Sequence, residues 1–441
     1  MLSILRNRTY RHLFLAQIVA LTGTGLATVA LGLLAFDLAG DRAGVVLGTA
    51  LTIKMIAYVT VAPIAAAWTE QLDRRKVLIA LDMLRMAVAV CLPFVSEVWQ
   101  VYVLIFVLQS ASAGFTPAFQ ASIPDVLTEE KDYTQALSLS RLAYELESLF
   151  SPMLAAALLV LVSSSTLFWG TAAGFAGSAL LLLSITLPSP APRTPRPIWE
   201  RTSRGIRNYL RTPRLRGLLA LNWVVSAMAA MVLVNTVVLV RAGMEQGESA
   251  VALALACFGG GAMLSAMLLP RLLQHIPDRR VMLAGGALGS AALMVLALTT
   301  LAQPLGFVRL AIAWFVIGLG YSAVLTPSGR LLARSAHAAD RPAIFAAQFT
   351  LSHACWLVFY PLSAWLMAVW GAGVAMLVLA LLASAGLVAA RHLWPADSGA
   401  PVAHSHPDLP PDHPHLQGSH THAHPIIIDD LHTEIPRKQR I

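Results

Sequence analysis

The sequence predicts an all-α membrane protein: twelve transmembrane helices in two pseudo-symmetric six-helix bundles, followed by a disordered His-rich carboxyl tail. Three observations predict it. First, 57% of the 441 residues are hydrophobic and only 12% are charged, against about 25% charged in soluble domains. Second, uncharged runs such as Leu13–Phe36, Thr166–Leu187 and Gly371–Ala390 are each long enough to cross ~30 Å of hydrocarbon. Third, landmarks of the first half of the chain recur in the second at a nearly constant offset. The composition excludes a disordered protein, a small disulfide scaffold and an average soluble enzyme.

Taken in order, the hydrophobic runs place spans at 12–36, 43–67, 77–95, 98–117, 136–161, 165–187, 217–240, 248–269, 281–301, 304–326, 342–369 and 372–393. The first run is too long for a removable leader and is read as a span. Residues 1–187 form the first bundle, and Pro188–Arg216, rich in Pro and Arg, forms a linker. Residues 217–393 form the second bundle, and 394–441 form the tail.

The repeat is explicit. Leu72–Leu78 (LDRRKVL) after span two answers Pro277–Leu283 (PDRRVML) after span eight, 205 residues on. Thr116-Pro117, read as ending span four, answers Thr326-Pro327 at the end of span ten, an offset of 210. Ser151-Pro152 answers Tyr360-Pro361, an offset of 209. Three pairs in the same relation to their spans indicate a parallel duplication. Such halves, with a site between them near the membrane midplane, are a transporter arrangement.

Charge orients the chain. Of 31 Lys and Arg, 25 fall in seven stretches that alternate along it, including Arg74–Lys76, the eight arginines from Arg193 to Arg216, and Arg330, Arg334 and Arg341. Basic loops face the cytoplasm, so both termini are expected there. The net charge of +8 is thereby accounted for, and no nucleic-acid partner is expected. The three cysteines, Cys91, Cys257 and Cys355, lie in spans and offer no metal-type or disulfide spacing. No Gly-x-x-x-x-Gly-Lys loop for ATP is present, and no enzyme constellation emerges.

Residues 1–393 resemble the major facilitator superfamily. Between spans two and three that family carries a Gly, an acid and a basic cluster. Here the segment runs Ala66-Ala67-Trp68-Thr69-Glu70-Gln71-Leu72-Asp73-Arg74-Arg75-Lys76. Glu70 matches the acid and Arg74–Lys76 the bases, while Ala66 replaces the Gly and Gln71 a usual base. The Leu-Asp-Arg-Arg wording is most similar to the macrolide- and siderophore-exporting branch. The resemblance implies alternating access by rocking of the halves. A solvated loop is the plain reading of Glu70–Lys76; the functional one is an interhelical gate. Asp82 and Arg85 in span three are three apart and share a face, so a gating network of Glu70, Asp73, Arg74, Arg75, Asp82 and Arg85 is expected.

Ionisable groups deep in spans are costly and therefore informative. Lys54 lies in span two, Glu145 and Glu147 in span five, His353 in span eleven, and Asp37 closes span one. A carboxylate in a partly dry cavity suits proton exchange. Glu145 is the first choice of carrier, ahead of Glu147 and Asp37; pairing with Arg141 is its structural alternative. Lys54 serves as a counter-ion or repels cations. His353 is either a helix–helix hydrogen-bonding group or a metal contact.

The tail concentrates eight of the thirteen histidines: His404, His406, His413, His415, His420, His422, His424 and His432. Eight prolines from Trp394 onward argue against a packed fold. Imidazoles at alternate positions of an extended chain reach the same side and suit nickel, cobalt, copper or zinc. A major-facilitator body with such a tail resembles nickel-resistance permeases of the NreB type, and this resemblance, not the imidazole chemistry, selects nickel over cobalt or zinc. It implies a monomeric proton-coupled exporter in a bacterial cytoplasmic (inner) membrane, with the metal as substrate and no cofactor. The alternatives are a drug or siderophore exporter with a metal-sensing tail, and a membrane-anchored metal buffer with little transport.

Overall fold

A computed structural model describes residues 2–39, 43–69, 72–159, 162–163, 165–188, 198–337, 340–396, 401–405, 421–424, 426–428 and 431–432. The chain is a multi-pass membrane protein built almost entirely of helix. The first half comprises α1 (Arg8–Ala39), α2 (Ala43–Thr69), α3 (Arg74–Cys91), α4 (Val98–Val126), α5 (Glu130–Leu159) and α6 (Thr166–Leu183). A short helix, α7 (Ile198–Arg211), occupies the linker. The second half comprises α8 (Pro213–Val237), α9 (Glu248–Leu272), α10 (Asp278–Ala302), α11 (Phe307–Ala333) and α12 (Arg341–Leu393). Helix α12 is two spans in one. Gly371 breaks it with φ 76° and ψ 178°, a region open essentially to Gly alone. Each half therefore presents six spanning segments.

The duplication is visible in the packing. In the first half α3 packs on α6 and α2 on α4; in the second α10 packs on α12 and α9 on α11. Glycines set the closest approaches. A methyl at Gly174 would lie 3.1 Å from Gly23 Cα, and one at Gly285 would lie 3.0 Å from the Gly320 carbonyl oxygen. With little hydrophobic drive between helices in lipid, such small-residue seams let backbones pack by dispersion. Gly261 meets the Phe315 carbonyl in the same way, so the Gly259–Gly261 run serves packing.

Two expectations need correction. Thr116-Pro117 and Thr326-Pro327 do not end their helices: α4 continues to Val126 and α11 to Ala333. Proline removes one intrahelical donor, but neighbouring helices and local adjustments re-satisfy the freed backbone in a membrane bundle. Within the linker, α7 packs against the second half. Tyr209 of α7 is fully buried and donates to Gln348 Oε1 at 2.5 Å, while Arg204 pairs with Asp340 at 3.2 Å.

The halves meet where α2 packs on α12 and α5 packs on α9 and α11. In the tail, β1 (Val402–Ser405) and β2 (Thr421–His424) pair antiparallel, with Val402 opposite His424 and His404 opposite His422. This is local order within a segment expected to have no packed core.

Candidate functional site

Three constellations carry the chemistry. The first is a cavity of about 310 Å³ between the halves, walled by α2, α4 and α5 on one side and α8, α11 and α12 on the other. Polar side chains of the spans gather here, away from lipid, where exposing them would be costly. His353 on α12 is part of the cavity wall. Its Nδ1 stands 2.7 Å from the Phe349 carbonyl oxygen, and a carbonyl only accepts. Nδ1 therefore carries the proton, and Nε2 keeps its lone pair. The imidazole packs edge-on against Tyr58 of α2, with ring centroids 4.8 Å apart. Tyr58 donates to Gln109 Oε1 at 3.0 Å, and Lys54 Nζ sits 5.5 Å from the Tyr58 ring centroid. Such a cation over an aromatic face is held by the ring quadrupole. Glu147 of α5 acts electrostatically on Lys54. Lys54, Glu147 and His353, far apart in sequence, are thus gathered at one interface. The side chains of Glu145 and Asp37 lie outside the described residues.

The second constellation was expected as one gating network, and its described members fall into separate contacts. Asp82 and Arg85 do pair, three residues apart on α3. The pair is buried inside the first half: Ser178 Oγ donates to Asp82 Oδ2 at 2.7 Å, and the guanidinium lies 4.0 Å from the Phe115 ring centroid and 4.6 Å from that of Phe175. It does not bridge the halves. Asp73 caps α3 by accepting from Lys76 N at 3.2 Å, satisfying an orphan helix donor. Arg75 donates to the Leu182 carbonyl at 3.1 Å and to that of Leu183, closing the end of α6 where the helix dipole favours a cation. Glu70 lies outside the described residues. Of the expected gate, Arg74 alone among the described residues joins a contact between halves, through Asp125.

The bridge itself uses residues the sequence reading missed. At the end of α4, Asp125 accepts from Arg74 and, at 2.7 Å, from Arg341 at the start of α12. At the start of α5, Glu130 accepts from Arg334, just past α11, with Nε to Oε2 at 3.0 Å. Asp278, buried at the start of α10, holds that base at 2.9 Å and also pairs with Arg330. The two clasps occupy equivalent places in the duplication with their charges exchanged. An acid ending α4 meets a base opening α12, and a base ending α11 meets an acid opening α5. The alternation of acids and bases at these helix ends was the available signal.

The third is in the tail. His404, His424 and His432 offer ring nitrogens all within 4.8 Å of one another. His404 Nε2 and His432 Nε2 stand 3.0 Å apart, while His404 Nδ1 donates to the Val402 carbonyl at 2.8 Å. This second bond fixes the tautomer and leaves Nε2 as the ligand atom. Three imidazoles suit a transition metal and leave positions for water or another ligand. The other proposed tail ligands, His406, His413, His415 and His420, and the side chain of His422, lie outside the described residues.

Comparison with known proteins gives the following. A family model described as the Major Facilitator Superfamily matches residues 13–303. A curated relative, an uncharacterized MFS-type transporter, YfiS, from Bacillus subtilis (strain 168), is 27% identical over 124 residues, covering 28% of this chain and 30% of that protein. The match thus spans less than a third of the relative's length. Among solved structures, the human organic anion transporter MFSD10 (TETRAN) superposes with a TM-score of 0.75 at 13% identity, over 87% of this chain and 99% of that one. A bacterial homologue of the iron transporter ferroportin, in an outward-facing state, gives 0.69 at 13% identity over 87% and 98%. The transporter FucP in its outward conformation gives 0.67 at 14% over 88% and 99%. At these identities the likeness concerns the fold.

Proposed function

The chain belongs to the major facilitator superfamily, and from that premise we propose that it exports a divalent transition metal, nickel or secondarily cobalt, by proton antiport. The observation that carries this reading is the three-imidazole cluster of His404, His424 and His432. It follows α12, whose carboxyl end emerges on the same face as the basic loops. With basic loops inside, that face is cytoplasmic, both termini are cytoplasmic, and the tail collects metal on the loading side. The His-rich tail on a major-facilitator body also resembles the NreB type of nickel-resistance permease. A bacterial inner membrane is the setting this implies.

Coupling falls to the interface. Glu147 of α5 acts electrostatically on Lys54 of α2, whose neighbouring ring, Tyr58, packs on His353, so a proton taken by Glu147 would release Lys54 and alter the charge beside the cavity. Glu145 and Asp37 remain in the proposed carrier set. The two clasps, Asp125 with Arg341 and Glu130 with Arg334, hold the halves together on the loading face and must part for entry.

The test is metal-dependent proton flux in vesicles holding the full chain. Nickel should drive proton movement that an equal concentration of magnesium does not. Indifference to nickel, cobalt, zinc and copper alike would refute metal export. A second reading, an organic-molecule exporter with a metal-sensing tail, draws support from the cavity wall. Among the described residues it holds one imidazole and no carboxylate. A macrolide driving flux without metal is the outcome that favours it.

A further inference from the structure

The cavity wall and the tail are chemically mismatched, and the mismatch bears on what form the metal takes in transit. A bare divalent ion must replace its hydration shell with several nitrogen or oxygen ligands and, in a low-dielectric interior, with compensating negative charge. The tail offers such a set. Among the described residues, the cavity offers one metal-binding nitrogen, His353 Nε2, and its nearest charges, Lys54 and Glu147, oppose each other.

What the wall does offer is recognition of an organic perimeter. Tyr209 occupies the Gln348 oxygen, leaving the amide donors of Gln348 for the cavity. Asn222 spends Nδ2 on the Leu218 carbonyl at 3.0 Å, leaving its oxygen as an acceptor. Ser140 donates to Gln17 at 2.7 Å and so also presents an accepting oxygen. Tyr58, Phe349 and Trp356 supply aromatic faces. A space of about 310 Å³ with convergent amide, hydroxyl and aromatic groups has the size and chemistry of small-molecule sites, which run from roughly 300 to 1,000 Å³.

We propose that the cargo in this cavity is a neutral or anionic complex of the metal with a small carboxylate-bearing chelator. The chelator supplies most of the ligands, and His353 Nε2 supplies at most one. Lys54, over the Tyr58 ring, becomes the complement to carboxylate charge when Glu147 takes a proton. The tail imidazoles gather metal, and the cavity carries it already dressed. The inference rests on the metal-export reading and narrows it.

The experiment uses the full chain in proteoliposomes with doubly labelled nickel citrate, radioactive nickel and carbon-labelled citrate, set beside nickel alone and citrate alone. The expected result is that both labels cross together in equimolar amounts, and that citrate raises nickel flux although it lowers the free ion. Nickel crossing without citrate label, or slowing as citrate is added, overturns the proposal while leaving metal export standing. Nickel failing to cross in either form overturns both. As a second measurement, Gln348→Ala is expected to slow the complex several-fold while leaving nickel binding by the tail unchanged. Equal slowing of nickel alone in that variant counts against recognition of the chelator.

Discussion

At the scale of single residues, the energetics turn on how much water each charge keeps. Asp82 and Arg85 keep almost none: they are 0% and 5% exposed. Breaking a buried pair by removing one partner strands the other charge, typically at about 3–5 kcal/mol. Asp82→Asn is therefore expected to lower the thermal midpoint of the purified protein markedly, and Asp82→Asn combined with Arg85→Gln to recover part of it. A single variant as stable as the native chain would show that the pair is not held as described. The same change was legible from the sequence only as an i,i+3 pair; that it lies inside one half, between Phe115 and Phe175, depends on α4 and α6 closing around α3. His353 was legible as an intramembrane imidazole, but its proximity to Tyr58 and Lys54 was not, because nearly 300 residues of chain separate the partners.

At the scale of elements, the clasps and the Gly371 break make separate predictions. Glu130 and Arg334 are 44% and 40% exposed, and exposed pairs contribute about 0–1 kcal/mol. Asp125 is 9% exposed and serves two arginines. Asp125→Asn should therefore loosen the joined face more than Glu130→Gln. The seam where Gly329 abuts Leu137 reports this. Disulfide yield between Leu137→Cys and Gly329→Cys should drop several-fold with Asp125→Asn and little with Glu130→Gln, and equal yields in both would remove the clasp from gating. Within α12, a methyl added at Gly371 meets nothing within 4 Å, so Gly371→Ala tests backbone strain alone. It should cost about 1–3 kcal/mol, read as a lower unfolding midpoint. The hydropathy pattern had already separated spans 342–369 and 372–393, because the turn and its Gly sit between two apolar runs. The extensions of α4 and α11 past their prolines were not legible, since a proline reads as a stop until neighbouring helices support the strand of backbone beyond it.

At the scale of the whole molecule, the division of labour between tail and body makes the last prediction. Deleting residues 400–441 removes the imidazole cluster but no spanning helix. Cells carrying the truncated chain should lose tolerance at moderate nickel yet retain some export, measured as growth together with cellular nickel content. Full tolerance after truncation would mean the tail takes no part, and complete loss would mean that the body does not transport without it.

The sequence by itself determined the membrane class, the duplicated halves and the concentration of imidazoles in the tail. The class and the tail are written in composition and local spacing, and the duplication in short motifs that recur at a nearly constant offset. Only the tertiary structure decided which charges meet. Asp125 reaches Arg341, Glu130 reaches Arg334, and Lys54 stands beside His353 because the two bundles dock through α2 on α12 and α5 on α9 and α11. The pairing of groups hundreds of residues apart is a property of that docking, in which few ionisable side chains have a partner or water within reach except at the interface and the helix ends.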